Sequence, residues 1–93
     1  VKQYQEKRDI IYEGLKDNFK VVKPQGAFYI FPQIPEGVNV DKFVEKAIEN
    51  KVLIIPGKVF SESNKGFRIS FATANETLKR GVEVLNKLAK EMF

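Results

Sequence analysis

Apolar residues near the start of the chain recur at the spacing of an amphipathic helix, with charged residues on the other faces. The apolar stripe consists of Tyr4, Ile10, Ile11, Leu15 and Phe19. The segment VKQYQEKRDIIYEGLKDNF already has a helical pattern at Lys2, and no Ser, Thr, Asp or Asn precedes it as a cap. We therefore predict a helix here and expect the chain to be cut from a longer protein.

A β-hairpin is predicted after this helix. The segment FKVVK, residues 19–23, has the β-branched content of a short strand, and AFYIF, residues 27–31, is a mostly apolar run that fits its partner. Pro24 fixes its own backbone angle φ, and Gly26 tolerates a positive φ. We therefore predict that Pro24-Gln25-Gly26 is the turn between the two strands.

A second helix and a third strand follow the loop 32–39, which contains prolines and a glycine. We predict that Asp41 caps this helix, which runs to about Asn50. Its apolar stripe consists of Phe43, Val44, Ala47 and Ile48. The fully apolar VLII, residues 52–55, is typical of an interior strand, and Pro56-Gly57 ends it.

The fourth predicted strand is FRISFA, residues 67–72, because large apolar residues alternate in it with polar or small ones. One face holds Phe67, Ile69 and Phe71, and the other holds Arg68, Ser70 and Ala72. The first face is predicted to belong to the core. Arg68 therefore lies on the opposite face of the sheet.

The last predicted element is a helix that opens at TANE, where Thr73 and Glu76 have the spacing of a capping box. Its apolar stripe consists of Leu78, Val82, Leu85, Ala89 and Met92. The order of elements is thus α-β-β-α-β-β-α, without an internal repeat. We predict a single domain over residues 1–93, of the α+β class, with helices packed on a small, mostly antiparallel sheet.

The composition limits the chemistry available to this domain. The 93 residues include no Cys and no His, which excludes thiol chemistry, disulfides and imidazole acid–base catalysis, and we predict no metal site. No apolar run approaches the ~20 residues of a membrane span, so no membrane partner is expected. The absence of Cys fits a reducing compartment, and we expect a cytoplasmic protein.

One alternative function is the binding of single-stranded RNA. The net charge is +4, and KGFRISF, residues 65–71, comes close to the RNP1 pattern, in which aromatic side chains on a strand stack on bases. However, Arg68 stands where that pattern needs a small residue, and Ile69 stands where it needs an aromatic one. The long first helix also has no place in an RNA-recognition motif, and the closing strand of that fold is missing. We therefore expect no nucleic-acid partner.

Three segments together resemble one family. They are YQEKRDIIYEGL, KPQGAFYIFPQIP and VLIIPGKVFSESNKGFRISFATANETLKRGVEVLNKL. They are similar to the C-terminal small domain of class I (fold type I) pyridoxal-phosphate-dependent aminotransferases of the aspartate aminotransferase type. The resemblance implies a homodimeric parent enzyme that uses pyridoxal phosphate to move an amino group between an amino acid and a 2-oxo acid.

In that family the lysine that binds the cofactor covalently, and the groups that hold its ring and phosphate, belong to the large domain. The resemblance therefore implies no catalytic and no cofactor-binding residue in this chain, and the fragment alone is expected to be inactive. In SESNK, Ser63 lies two residues before Lys65. This spacing only faintly resembles the family's lysine motif, and we interpret it as coincidence.

Arg68 is the one residue for which the resemblance implies a role in the site. The family's arginine at this place in the RISFA strand binds the α-carboxylate of the substrate. A planar guanidinium suits this task because it donates two parallel hydrogen bonds and so fixes the orientation of a carboxylate. Tyr12 and Tyr29 are interpreted as packing residues. Ser61 departs from the glycine that the family usually has after PG-x-x-F, which concerns the conformation of the loop.

Other functions stay open at this point. The chain could be a stand-alone domain that binds amino acids, or a small scaffold without a ligand. The same family also includes β-lyases and other pyridoxal-phosphate enzymes. Nothing in the sequence selects one amino acid as the substrate.

Overall fold

The computed structural model describes residues 2–21, 28–57 and 65–93, with the backbone alone at residues 2 and 3. Its elements in chain order are α1 (Lys2–Leu15), β1 (Tyr29–Ile30), α2 (Val40–Glu49), β2 (Ile55–Pro56), β3 (Phe67–Ser70) and α3 (Asn75–Met92). The predicted turn at residues 24–26, the last two residues of FKVVK and the position of Ser61 lie outside the described residues.

The sheet of the described residues has three strands in the order β1-β3-β2, and both pairings are antiparallel. The paired residues are Tyr29 with Ser70, Ile30 with Ile69, Ile55 with Arg68, and Pro56 with Phe67. The strand that carries Arg68 is therefore central and is hydrogen-bonded on both sides. The predicted α+β class, with helices packed on a small antiparallel sheet, is confirmed.

β3 begins where three segments of the chain approach one another closely. The Phe67 N–H donates to the Pro32 carbonyl at 3.2 Å, and the Gly57 N–H donates to the Gly66 carbonyl at 3.1 Å. A Cβ atom on Gly66 would overlap the Pro32 carbonyl oxygen and would lie 3.0 Å from the Cα of Gln33. Because glycine alone leaves room for this approach, Gly66 sets the position from which β3 starts.

The core lies between one face of the sheet and the helices. Phe67, Ile69 and Phe71 of β3 are buried, as their alternation predicts. Phe67 contacts Phe19 edge-on, with ring centroids 5.6 Å apart, and stacks on Phe43 at 5.5 Å. Ring pairs at these separations add a favourable quadrupole interaction to the burial of apolar surface, so this cluster holds β3 against the helical layer.

α1 and α3 pack closely near the C-terminus of α1. A Cβ atom on Gly14 would lie 2.5 Å from the Cγ1 of Val82, so the absence of a side chain at Gly14 permits the contact. The Asn86 side-chain amide donates to the Gly14 carbonyl at 2.8 Å, and the Asn18 amide donates to Asn86 Oδ1 at 2.9 Å. Asn86 thus satisfies a carbonyl that has no partner within its own helix, which orients α1 on α3.

A second polar cluster joins α1 to the start of α3. Lys7 Nζ donates to the Thr73 carbonyl and, at 3.0 Å, to Asn75 Oδ1. Asn75 Nδ2 in turn donates to Glu6 Oε1 at 2.7 Å. The turn between β3 and α3 is therefore tied to α1.

Both predicted N-caps are wrong. The cap of α2 is Asn39, whose Oδ1 accepts from the Lys42 N–H at 3.1 Å. Asp41 lies instead in the first turn, where its charge interacts favourably with the helix dipole. The N-cap of α3 is Ala74, which makes no side-chain hydrogen bond, so Thr73 does not form the predicted capping box.

The prediction of VLII as an interior strand is also wrong. Val52 and Ile54 are buried, but the side chain between them, Leu53, is 75% exposed. The strand in this region is β2, which lies at an edge of the sheet of described residues. Pro56 within β2 signals this position, because proline cannot donate to a ladder and is confined to edges.

Three smaller differences concern element boundaries. α1 ends at Leu15 rather than continuing to Phe19, and Ile48 of the predicted α2 stripe is 49% exposed. The FKVVK strand is reduced, within the described residues, to a bridge in which the Gln33 N–H donates to the Lys20 carbonyl at 2.9 Å. No helix among the described residues has the length and apolar content needed to cross a membrane.

Candidate functional site

Arg68 lies on the face of the sheet that points away from the core. Its neighbours along β3, Phe67 and Ile69, are buried, whereas Arg68 is half-buried. The strand register places Ile55 directly across from Arg68 on one side, and Tyr29 across from Ser70 on the other. These four residues, Tyr29, Ile55, Arg68 and Ser70, are referred to below as the open face. Since strands anchor them, their positions are set by the sheet rather than by a loop.

A hollow of ≈ 320 Å³ lies on the open face. The residues that line it are Phe28, Tyr29, Leu53, Ile55, Arg68 and Ser70. Among these described lining residues Arg68 carries the single charge, and it is surrounded by aliphatic and aromatic groups. Apolar walls keep water away from part of the guanidinium, which strengthens its attraction for an anion. The hollow therefore favours an anionic group bound beside an apolar one.

The guanidinium of Arg68 stacks on the ring of Tyr29. The Arg68 Cζ atom lies 3.6 Å from the centroid of that ring. At this separation the two planar groups lie face to face, because an N–H group pointed at the ring would hold Cζ farther away by the length of the C–N and N–H bonds. In this arrangement the flat face of the guanidinium contacts the ring, and its N–H groups point outward in a plane parallel to the ring.

The structure changes the interpretation of one predicted packing residue. Tyr12 is half-buried beside the core, in agreement with the prediction. Tyr29 is 42% exposed and contacts Arg68 instead of the interior. The sequence does not reveal this because AFYIF has no polar alternation, so neither face of that strand is marked. The register against β3 supplies the missing information.

The RNA-binding alternative requires exposed rings on β3. Phe67, which matches an aromatic position of the RNP1 pattern, and Phe71 on the same strand are both 0% exposed. Rings inside the core cannot stack on bases. The structure therefore does not support this alternative.

A larger hollow of ≈ 500 Å³ lies between the end of α1 and the loop before α2, and it shares no residue with the hollow at Arg68. Its charged residues are Lys20, Glu36 and Lys65, all of which are exposed. Exposed charges of mixed sign are well solvated and bind a small anion weakly. Its greater volume thus gives it no chemistry comparable with that of Arg68. Among the residues described, no group of carboxylates is arranged to hold a metal ion.

Comparison with known proteins identifies relatives across almost the whole chain. A family model described as aminotransferase class I and II matches residues 1–85. A probable aspartate aminotransferase of Methanocaldococcus jannaschii is 43% identical over 89 residues, covering 95% of this chain and 24% of that protein. The aspartate aminotransferase of Pyrococcus horikoshii is 40% identical over 96 residues, covering 98% of this chain and 24% of that protein.

A solved structure agrees with these matches. The crystal structure of an aromatic aminotransferase from Pyrococcus horikoshii superposes with a TM-score of 0.85 at 38% identity. The superposition covers 97% of this chain and 25% of that one. The chain thus spans about a quarter of the length of the proteins that it matches.

Proposed function

Because the chain belongs to the class I and II aminotransferase family, we propose that it is one domain, residues 1–93, of a longer enzyme that transfers an amino group between an amino acid and a 2-oxo acid. Relatives named as aspartate and aromatic-amino-acid aminotransferases support this reaction. The domain corresponds to the C-terminal small domain of such an enzyme. In our proposal, the large domain lies within the remaining three quarters of the relatives' length.

The observation that carries the proposal is the placement of Arg68 on the open face. Arg68 extends from the central strand into a mostly apolar hollow, and its guanidinium is held flat by a tyrosine ring. A guanidinium in this setting can donate two parallel hydrogen bonds to an α-carboxylate and so fix both its position and its plane. Orientation matters because the bond that breaks at Cα must stand perpendicular to the cofactor ring.

The cofactor implied by the family is pyridoxal phosphate, which serves as an electron sink when bound. A site for it needs a lysine amine and several donors to the phosphate group. None of the six residues that line the hollow is a lysine, and Arg68 is the sole cation among them. The described residues around Arg68 therefore do not form the cofactor site by themselves. In our proposal they bind substrate, and the cofactor is held by the rest of the enzyme.

Two further features are proposed from the family alone. We propose that the full-length enzyme is a homodimer, which sedimentation analysis of the purified protein would test. We also propose a cytoplasmic location, with which a sequence free of cysteine is compatible.

The replacement Arg68→Lys in the full-length enzyme tests the role of this side chain. Lysine keeps the charge but cannot make the two-pronged contact, so we expect kcat/KM for the amino acid to fall about 100-fold. The matched control is Arg80→Lys, since Arg80 is exposed on α3 and donates to the Asn50 carbonyl at 3.1 Å. This control should stay within about twofold of the unaltered enzyme.

A second substrate distinguishes lost carboxylate binding from general damage to the enzyme. This substrate is the amine that has the same side chain as the amino acid but lacks its α-carboxylate. Its turnover should be equally slow in the unaltered enzyme and in Arg68→Lys, because the amine has nothing for the guanidinium to bind. An unchanged kcat/KM for the amino acid would remove Arg68 from the site. An equal loss for acid and amine would assign it a structural role instead.

A further inference from the structure

We propose that Tyr29 is a positioning residue, whose ring sets the plane of the Arg68 guanidinium and thereby the plane in which a substrate carboxylate is bound. This inference rests on the carboxylate-binding role proposed above for Arg68. It assigns a function to a residue whose sequence context suggests packing alone. Tyr29 itself need not touch the substrate, because it acts through Arg68.

The sheet register brings the two side chains together. Tyr29 on β1 is directly opposite Ser70 on β3, so Arg68 is its diagonal neighbour on the same face. Long and aromatic side chains reach across such a diagonal. The resulting separation of 3.6 Å between Cζ and the ring centroid is that of two stacked planes in contact. The pairing of the strands therefore produces the stacking.

Both chain neighbours of Tyr29 hold its backbone in place. Ile30 is buried and pairs with Ile69. The ring of Phe28 packs edge-on against Tyr4, with centroids 5.1 Å apart, and its backbone carbonyl accepts from the Phe71 N–H at 2.9 Å. Tyr29 thus stands between two anchored residues. Its ring provides a fixed surface rather than an adaptable one.

Arg68 needs such a surface because its side chain has several rotatable bonds. Ile55 lies directly opposite Arg68 on β2, so the stem of the arginine has an aliphatic neighbour on the side away from Tyr29. An aromatic face beside a guanidinium favours one orientation through the cation–π attraction. The N–H groups then emerge in a plane parallel to the ring. A carboxylate that accepts from two of them must lie in that same plane.

The stacking geometry assigns this role to the ring and not to the hydroxyl group. Tyr29→Phe keeps the ring and should therefore retain full function. Tyr29→Leu keeps apolar bulk but removes the π-face, and the loss of a partly desolvated cation–π contact corresponds to about a tenfold weaker bound state. Tyr12→Leu is the matched control, because Tyr12 is also a tyrosine that is not fully buried, but it belongs to α1 and does not line the hollow.

The test measures kcat/KM of the full-length enzyme for the amino acid and for the amine that lacks its α-carboxylate. The variants are Tyr29→Leu, Tyr29→Phe, Tyr12→Leu, Arg68→Leu and the double variant Tyr29→Leu/Arg68→Leu. Tyr29→Leu should lower kcat/KM about tenfold for the acid and leave the amine unchanged. Tyr29→Phe and Tyr12→Leu should preserve the preference for the acid. In the Arg68→Leu background, Tyr29→Leu should have no further effect on the acid, because the two residues act as one unit.

Each other outcome is decisive. A loss of equal size for acid and amine in Tyr29→Leu would show a structural role and overturn the inference. A loss in Tyr29→Phe as large as that in Tyr29→Leu would assign the effect to the hydroxyl and overturn the stacking account. If Arg68→Leu lowers kcat/KM for the amino acid and Tyr29→Leu does not, the inference fails while the role of Arg68 stands. If Arg68→Leu has no effect on the acid, the proposed function itself fails.

Discussion

At the scale of single residues, Lys51 has a left-handed backbone conformation that is unfavourable for a residue with a side chain. Lys51 follows Asn50, the C-cap of α2, and has φ of 65°, which lies in the left-handed region that favours glycine. Its N–H donates to the Ile48 carbonyl at 2.9 Å, and the Val52 N–H donates to the Ala47 carbonyl at 2.9 Å. These are the two hydrogen bonds of a Schellman motif, which ends a helix with one left-handed residue.

We expect Lys51→Gly to raise the free energy of unfolding by about 0.5–1 kcal/mol, because glycine relieves the strain of the left-handed conformation. Urea denaturation followed by circular dichroism measures this change. Lys46→Gly, inside the same helix, is the control and should lower stability by about 1 kcal/mol. A destabilised Lys51→Gly variant would show that the lysine side chain contributes more than the strain costs.

The residues of the candidate site differ in how far the sequence predicts them. Strict alternation in FRISFA marks the face on which Arg68 lies, and the structure agrees. Tyr29 is not predicted because its strand is almost uniformly apolar, so its direction depends on pairing with β3. The predicted N-cap of α2 is wrong for a related reason. Asn39 and Asp41 are equally good capping residues, and the path of the preceding loop decides between them.

At the scale of elements, the entry into β3 controls where Arg68 stands. Gly66 is the point at which the chain passes the Pro32 carbonyl too closely for any side chain. Moving β3 outward would weaken its pairing with both neighbouring strands. The position of Arg68 relative to Tyr29 and Ile55 would then change as well.

Gly66→Ala should therefore destabilise the protein by roughly 3 kcal/mol or more, because backbone atoms rather than a flexible side chain must give way. Gly37→Ala is the matched control. Gly37 has φ of +89° but nothing within 4 Å of its missing Cβ, so the cost there is conformational strain of about 1 kcal/mol. Chemical denaturation of both variants gives the comparison. A smaller loss in Gly66→Ala than in Gly37→Ala would contradict this account of β3.

The elements also differ in how clearly their patterns identify them. The three helices among the described residues are predictable because each has an apolar stripe facing one core. The VLII segment misleads because composition alone cannot show that Leu53 points outward. Burial of a strand on both faces depends on what covers the sheet, and within the described residues the helices cover one face. The proline of β2 is the local signal for an edge.

At the scale of the whole molecule, the chain is about a quarter of the enzymes to which it is related. The α+β class follows from the order of the elements, and this level of description is correct. The hollow on the open face is lined by three exposed apolar side chains, those of Leu53, Tyr29 and Phe28, around Arg68. In our proposal this face is where the remainder of the enzyme completes the substrate site.

We therefore expect the 93-residue chain alone to be inactive. Mixed with pyridoxal phosphate and glutamate, it should form 2-oxoglutarate no faster than the cofactor does by itself. The reason is that the described residues around Arg68 offer no lysine in the hollow. A coupled assay for the 2-oxo acid measures this, with Lys65→Ala as the comparison. Specific turnover that disappears in Lys65→Ala would contradict the assignment of catalysis to another domain.

The central claim is that Arg68 binds the α-carboxylate of the substrate. The most direct measurement is a crystal structure of the full-length enzyme with an α-methyl amino acid, which can bind but has no Cα proton to lose. We predict that both carboxylate oxygens accept from Arg68 at about 2.7–2.9 Å, in a plane parallel to the Tyr29 ring. A carboxylate bound to another cation, with Arg68 directed away from it, would contradict the claim.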